Sequence, residues 1–169
     1  DYSSAASDVY KRQELKSFGA CFGVSAGYER PMWFALDGEK AEYEYSYNYQ
    51  NWYPSVEFET NNTLTNVGLY DLSPFSKFEI KSKKAHEDLQ RICTSNIKQE
   101  PGKCTYTHML NKDGGIETDL TVVCIEQNHF RIISSAATRE RDKFHIKKHL
   151  SEGVELIDVT DDYCVLGIF

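Results

Sequence analysis

The stretch from Lys103 to Ser134, "KCTYTHMLNKDGGIETDLTVVCIEQNHFRIIS", constrains the fold more than any other part of this chain. Three runs rich in β-branched and aromatic residues are separated by two reversal signals, Asp113-Gly114-Gly115 and Gln127-Asn128. Glycine and asparagine tolerate the left-handed backbone of a tight turn, so the pattern predicts a three-stranded antiparallel meander. Residues two apart in a strand share a face. A turn centred on Asp113-Gly114 sets Asp119 opposite His108 and Thr121 opposite Tyr106. Centred on Gly114-Gly115, it sets Asp119 opposite Leu110 and Thr121 opposite His108. Both registers put Asp119, Tyr106 and His108 on one face and Leu120, Val122 and Cys124 on the other, unless a bulge intervenes. An aspartate just where an apolar strand goes under cover asks for a partner or a task.

The flanking residues add helices to this sheet. "VGLYDLSPFSKFEIKS" predicts a buried turn and then a strand near Lys77 to Lys81. "KKAHEDLQRICTSN" sets Ala85, Leu89, Ile92 and Cys93 on one helical face, with Asn96 beyond the helix end. "TRERDKFHIKKHL" reads as a second amphipathic helix with Phe144, Ile146 and Leu150 among its apolar positions, and "VELIDVTDDYCVLGIF" as two short strands about a turn at Asp161-Asp162. The order strand, helix, strands, helix, strands is α+β with antiparallel pairing. Upstream, "FGACFGVSAGYERPMWFA" is an extended, partly buried segment in which Arg30-Pro31 bars a helix. From Tyr43 to Tyr49 tyrosine alternates with polar residues, as in one strand face or a loop packed through its rings. The first residues, "DYSSAASDVYKRQ", have no sustained period; 1–15 read as a non-native or disordered leader, and the abrupt close in "CVLGIF" reads as a piece of a longer protein.

Composition narrows the partners. A formal charge of -7 leaves no basic footprint for nucleic acid or an anionic membrane. No run of about 18 apolar residues is present, so no membrane span is expected. Five cysteines without a C-x-x-C pair suit reduced core thiols better than disulfides or zinc.

The polar face of the hairpin is either simply solvated or a site, since a carboxylate near an amine can take its proton and a tyrosine ring can stack on a planar ligand. Periodicity leaves both open. His145 and His149 are spaced to share a metal, but Lys147 and Lys148 crowd the turn and no glutamate follows the first histidine, so no metal site is expected. Ser134-Ser135 lacks the setting of a nucleophilic serine, and Gly19, Gly23 and Gly27 form no nucleotide loop. The tyrosine block reads as packing.

Four segments taken together, "VGLYDLSPFSKFEI" (67–80), "GKCTYTHMLNKDGGIETDLTV" (102–122), "FRIISSAATRERD" (130–142) and "IDVTDDYCVLGI" (157–168), resemble the folate-binding aminomethyltransferase family. That family includes the T-protein of the glycine cleavage system and the C-terminal half of dimethylglycine and sarcosine dehydrogenases. The segment 18–35 resembles the G-x-E-R-P-x-W-F stretch of the dehydrogenase branch. The resemblance implies the first lobe of the T-protein cloverleaf, an α+β fold with an antiparallel sheet and packed helices, incomplete at the C-terminus. It makes 16–66 a linker from an absent upstream flavin domain and 67–169 the N-terminal part of the folate-binding domain.

The same resemblance assigns the site. Asp119 takes the acidic position of "GG-x-x-x-D-[LI]", beside the folate amine where carbon transfer occurs, and Tyr106 lines the folate pocket. Ser135 stands where T-protein carries an asparagine near the folate, and Glu59-Thr60 where the family has Glu-His; both are departures. The implied activity is capture on tetrahydrofolate of the one-carbon unit of an N-methyl amino acid oxidised by an FAD domain elsewhere in the polypeptide. This chain would supply one wall of the pocket and be inactive alone. The implied partners are folate, an N-methyl amino acid and the remaining domains of the same polypeptide. The implied location is the mitochondrial matrix in a eukaryote and the cytoplasm otherwise. The alternatives are a non-catalytic relative resembling the regulatory subunit of pyruvate dehydrogenase phosphatase, and a stand-alone aminomethyltransferase or demethylase.

Overall fold

A computed structural model describes residues 2–25 and 27–169, so Asp1 of the expected leader lies outside the described residues. The chain divides into two compact units, one running to Tyr70 and including Gly167–Phe169, the other covering Asp71–Leu166.

The first unit opens with helix α1, Tyr2–Ser17, where good helix formers such as Lys11, Arg12, Gln13, Glu14 and Leu15 sustain a helix without an apolar stripe. Arg12 anchors it, pairing with Glu29 at 2.7 Å and lying over the Phe22 ring at 4.7 Å. Strands β1, Ala20–Ser25, and β2, Tyr28–Phe34, pair antiparallel with a bulge between Cys21 and Phe22. The expected extended segment is therefore a hairpin, in which Ala20, Cys21 and Trp33 are buried. The tyrosine block that follows is irregular rather than a strand, and its rings pack on Trp33 and Trp52. Helix α2, Tyr53–Thr65, starts with Pro54 in its first turn, where a missing N–H costs nothing. Glu59, which precedes the departing Thr60, accepts the Phe34 backbone N–H at 2.8 Å, so it is engaged in structure.

Strands β3, Leu69–Asp71, and β9, Leu166–Ile168, form a two-stranded sheet. The second unit is built on a five-stranded antiparallel sheet ordered β5-β6-β7-β4-β8. Its strands are β4, Ser76–Lys81; β5, Cys104–Leu110; β6, Ile116–Glu126; β7, His129–Ser134; and β8, Leu156–Asp158. The predicted meander is β5-β6-β7, with Asn128 at φ 63° in the second turn. The two C-terminal strands do not pair with each other: β8 joins β4, and β9 joins β3.

One sheet face carries the core. Phe78, Ile80, Met109, Leu120, Val122, Phe130 and Ile132 are buried there with Ala85 and Leu89 of helix α3, Ala85–Ile92, and Ile146 of helix α4, Arg139–His149. Leu150 packs at the edge of this cluster. Phe144 does not join it and is 70% exposed, because positions 144 and 146 lie about 200° apart around a helix whereas 146 and 150 share a face. The opposite sheet face carries Tyr106, His108, Asp119, Thr121, Arg131, Ile133 and Glu79, and here the candidate site lies.

Candidate functional site

The register of β5 and β6 is that of a turn centred on Asp113-Gly114. His108 stands opposite Asp119 and Tyr106 opposite Thr121. A bulge does occur, between Met109 and Leu110, but it lies on the turn side of Asp119 and leaves its face unchanged. Asn111 organises the loop by accepting the N–H groups of Asp113 and Gly115 on its side-chain oxygen at 3.0 and 2.9 Å. The strand does not take Asp119 under cover; the carboxylate is exposed, while its neighbours Thr118 and Leu120 are buried.

Continuing the register across the sheet gives a row of side chains, Tyr106 on β5, Thr121 on β6, Ile133 on β7 and Lys77 on β4. Beside this row is a cavity of about 130 Å³ lined by Tyr106, Asp119, Thr121, Ile133, Ser135 and Phe75, with Leu120 and Ser134 at its floor. All three residues singled out in the sequence, Asp119, Tyr106 and Ser135, meet here. Ligand pockets usually enclose about 300–1,000 Å³, so this cavity is smaller than a complete ligand site.

Within the site the Tyr106 hydroxyl donates to Asp119 Oδ2 at 3.1 Å. That bond, with the negative charge beside it, raises the phenol above its ordinary pKa, since ionisation would lose the donor and bring two anions together. The His108 ring meets Tyr106 edge to face at 5.4 Å. Ser135 caps a short 3-10 turn over Ala136–Thr138, its Oγ accepting the Ala137 N–H at 3.3 Å, which fixes the hydroxyl at the cavity rim.

Two contributors escaped sequence reasoning. Phe75 comes from the loop before β4, and the buried Lys77 holds that loop by donating from Nζ to the carbonyls of Ser73 and Phe75, each at 2.8 Å. Burial pushes the Lys77 pKa down. A lysine in a strand reads as a solvated residue, so only the register, with Lys77 facing Ile133, reveals it. Beyond it Glu79 accepts from Arg131 Nε at 2.9 Å and lies 2.8 Å from His129 Nε2, and the Arg131 guanidinium covers the Tyr163 ring at 3.9 Å.

The histidine pair of α4 lies elsewhere. The rings of His145 and His149 are 4.6 Å apart, and His149 Nδ1 donates to the His145 carbonyl at 2.8 Å. Among the described residues no group of three or more histidines, cysteines or carboxylates is arranged to hold a metal ion.

Residues 11–169 match the GCVT N-terminal domain family. The chain belongs to that family. As a GCVT N-terminal domain it is 33% identical over 155 residues to a 4-methylaminobutanoate oxidase (formaldehyde-forming) of Paenarthrobacter nicotinovorans, covering 91% of this chain and 19% of that protein. It is 32% identical over 165 residues to the mitochondrial dimethylglycine dehydrogenase of Rattus norvegicus, covering 96% of this chain and 19% of that one. The chain thus spans about a fifth of the length of these relatives. The crystal structure of the glycine cleavage system aminomethyltransferase T from Bartonella henselae superposes with a TM-score of 0.73 at 20% identity, over 92% of this chain and 38% of that one. The α+β architecture, with antiparallel sheets and packed helices, is that of the GCVT N-terminal domain. Among the described residues no helix is long and apolar enough to cross a membrane.

Proposed function

We propose that this GCVT N-terminal domain forms one wall of the tetrahydrofolate site in a flavin-dependent dimethylglycine or sarcosine dehydrogenase, which passes a one-carbon unit from an N-methyl amino acid to folate. The observation that carries the reading is the Tyr106–Asp119 hydrogen bond at the mouth of a cavity walled by Phe75 and Ile133. An aromatic and aliphatic wall with one carboxylate at its rim fits a flat, amine-bearing heterocycle. The 19% share of the two dehydrogenase- and oxidase-like relatives supports a larger polypeptide with the flavin elsewhere.

Tetrahydrofolate, when bound, supplies the nitrogens that accept the one-carbon unit. Tyr106, Phe75 and Ile133 offer the apolar wall against which it would rest, and the Ser135 hydroxyl a polar contact. Asp119 accepts a proton at the rim and steadies positive charge on an adjacent amine; the Tyr106 hydroxyl orients the carboxylate. In a eukaryote this work belongs in the mitochondrial matrix, in keeping with the rat relative, and otherwise in the cytoplasm.

The test uses the full-length polypeptide that contains this chain. Tetrahydrofolate is titrated against wild type and Asp119→Asn while amine oxidation and one-carbon capture are followed separately. The expected result is capture slowed by about a hundredfold with amine oxidation unchanged and folate binding partly kept. An unchanged capture rate removes Asp119 from the mechanism.

A further inference from the structure

Six rings of the first unit form an unbroken series of contacts that the folate reading leaves unused. Trp33 meets Tyr43 edge to face at 6.0 Å between centroids. Tyr43 lies parallel to Tyr45 at 5.6 Å and edge-on to Trp52 at 4.8 Å. Trp52 meets Tyr53 at 6.1 Å, and Tyr53 meets Tyr49 at 4.8 Å. The series runs from core to water: Trp33 is 2% exposed, Tyr43 and Trp52 are half-buried, and Tyr45 and Tyr49 are 83% and 65% exposed. At the buried end Cys21 is the direct cross-strand partner of Trp33.

Packing accounts for the inner rings only. Burying apolar area calls for Trp33 and its neighbours, whereas Tyr45, Tyr49 and Tyr53 leave much of their surface in water. Every member is tryptophan or tyrosine, the aromatic side chains that give up a single electron most readily, and no phenylalanine interrupts the series. We propose that this ring series carries oxidising equivalents outward, moving an electron vacancy from buried Trp33 to the surface phenols and so away from the Cys21 thiol.

The oxidant class is a peroxide-derived one-electron oxidant such as the carbonate radical. It takes one electron from Trp33 and is reduced to carbonate; the buried indole N–H has no hydrogen-bond partner to take its proton, so the ring is left as the indole radical cation. Half-buried Tyr43 then gives one electron to that radical cation and its phenol proton to water, restoring Trp33 and leaving a phenoxyl radical on Tyr43. Tyr45 in turn gives one electron and its phenol proton to that phenoxyl, which restores Tyr43 and brings the radical to water. There a dissolved thiol or ascorbate supplies the last electron and proton. Without an outlet the vacancy would settle on the thiol beside Trp33 and start cysteine oxidation.

Pulse radiolysis with azidyl radical, an oxidant of indoles, tests this in the Trp52→Phe protein, where Trp33 is the remaining tryptophan. The indole radical band is expected to decay into the phenoxyl band at a rate independent of protein concentration. Adding Tyr43→Phe is expected to slow that conversion by at least an order of magnitude, while adding Tyr70→Phe, outside the series, leaves it unchanged. Conversion that scales with protein concentration, or that survives Tyr43→Phe, overturns the proposal. A second measurement needs no Trp52 variant: peptide mass spectrometry after carbonate-radical exposure of wild type and Tyr43→Phe. Oxidation should move from Tyr45 in wild type to Trp33 and Cys21 in the variant, and an unchanged distribution overturns the proposal equally.

Discussion

The Tyr106 hydroxyl reaches Asp119 along a diagonal: its direct partner across β5 and β6 is Thr121, yet it donates to Asp119 Oδ2 at 3.1 Å. Long aromatic side chains span such diagonals on a sheet face. Because the bond opposes ionisation of the phenol, Asp119→Asn should bring the Tyr106 pKa down toward its ordinary value. Alkaline titration of the tyrosine ring signals checks this, with Tyr106→Phe identifying the resonance. A Tyr106 midpoint that stays put would show that the carboxylate does not govern the phenol.

The Asp158 carboxylate is tied into the second unit by Arg139, Lys143 and Thr160. Burial alone would raise its pKa, but hydrogen bonds from Arg139 at 2.9 and 3.0 Å, from the Thr160 hydroxyl at 2.7 Å and from Lys143 at 3.2 Å hold it far below the usual carboxylate range. A depressed folded pKa gives stability that is present above the unfolded value and lost as pH falls toward the folded one. Asp158→Asn should therefore cost roughly 1–3 kcal/mol at neutral pH, the partial exposure of these groups reducing the effect. The difference from wild type should shrink as the pH falls below about 5. Urea unfolding at several pH values measures both.

The hairpin at the site was legible because turn chemistry and period-two alternation agree there; the two candidate registers already placed Asp119 and Tyr106 on one face. Residues 53–65 and 2–17 gave no such agreement, since neither helix carries an apolar stripe. Choosing between a solvated face and a site required facts that no local pattern contains. Ile133 reaches the cavity through the β6–β7 register, and Phe75 through a loop that Lys77 pins from a different strand. The buried lysine is the clearest case: alternation assigns it a face, and only the tertiary structure says that the face is covered there.

Gly114 holds the hairpin turn with φ 82°, and no atom lies within 4 Å of where a Cβ would stand. Gly114→Ala therefore meets no steric block, and its cost is the left-handed backbone alone, about 1–2 kcal/mol. Equilibrium unfolding should show that loss as a lowered midpoint with an unchanged slope. A loss well beyond this range would mean that the loop carries packing not visible in its geometry.

Helix α4 offers a direct contrast between apolar pattern and real burial. Leu89 on α3 is 0% exposed and packs among Phe130, Ile132 and Ile146, whereas Phe144 on α4 projects from the surface although its sequence setting reads as apolar. Leu89→Ala should cost about 2–5 kcal/mol, the transfer of the lost atoms plus the cavity left behind. Phe144→Ala should stay within about 0.5 kcal/mol in this chain, since little area returns to water. Urea denaturation of the two variants separates the cases. In the full-length polypeptide the same Phe144→Ala measurement becomes informative again: a loss there exceeding that in this chain would mean that another part of the polypeptide covers the ring.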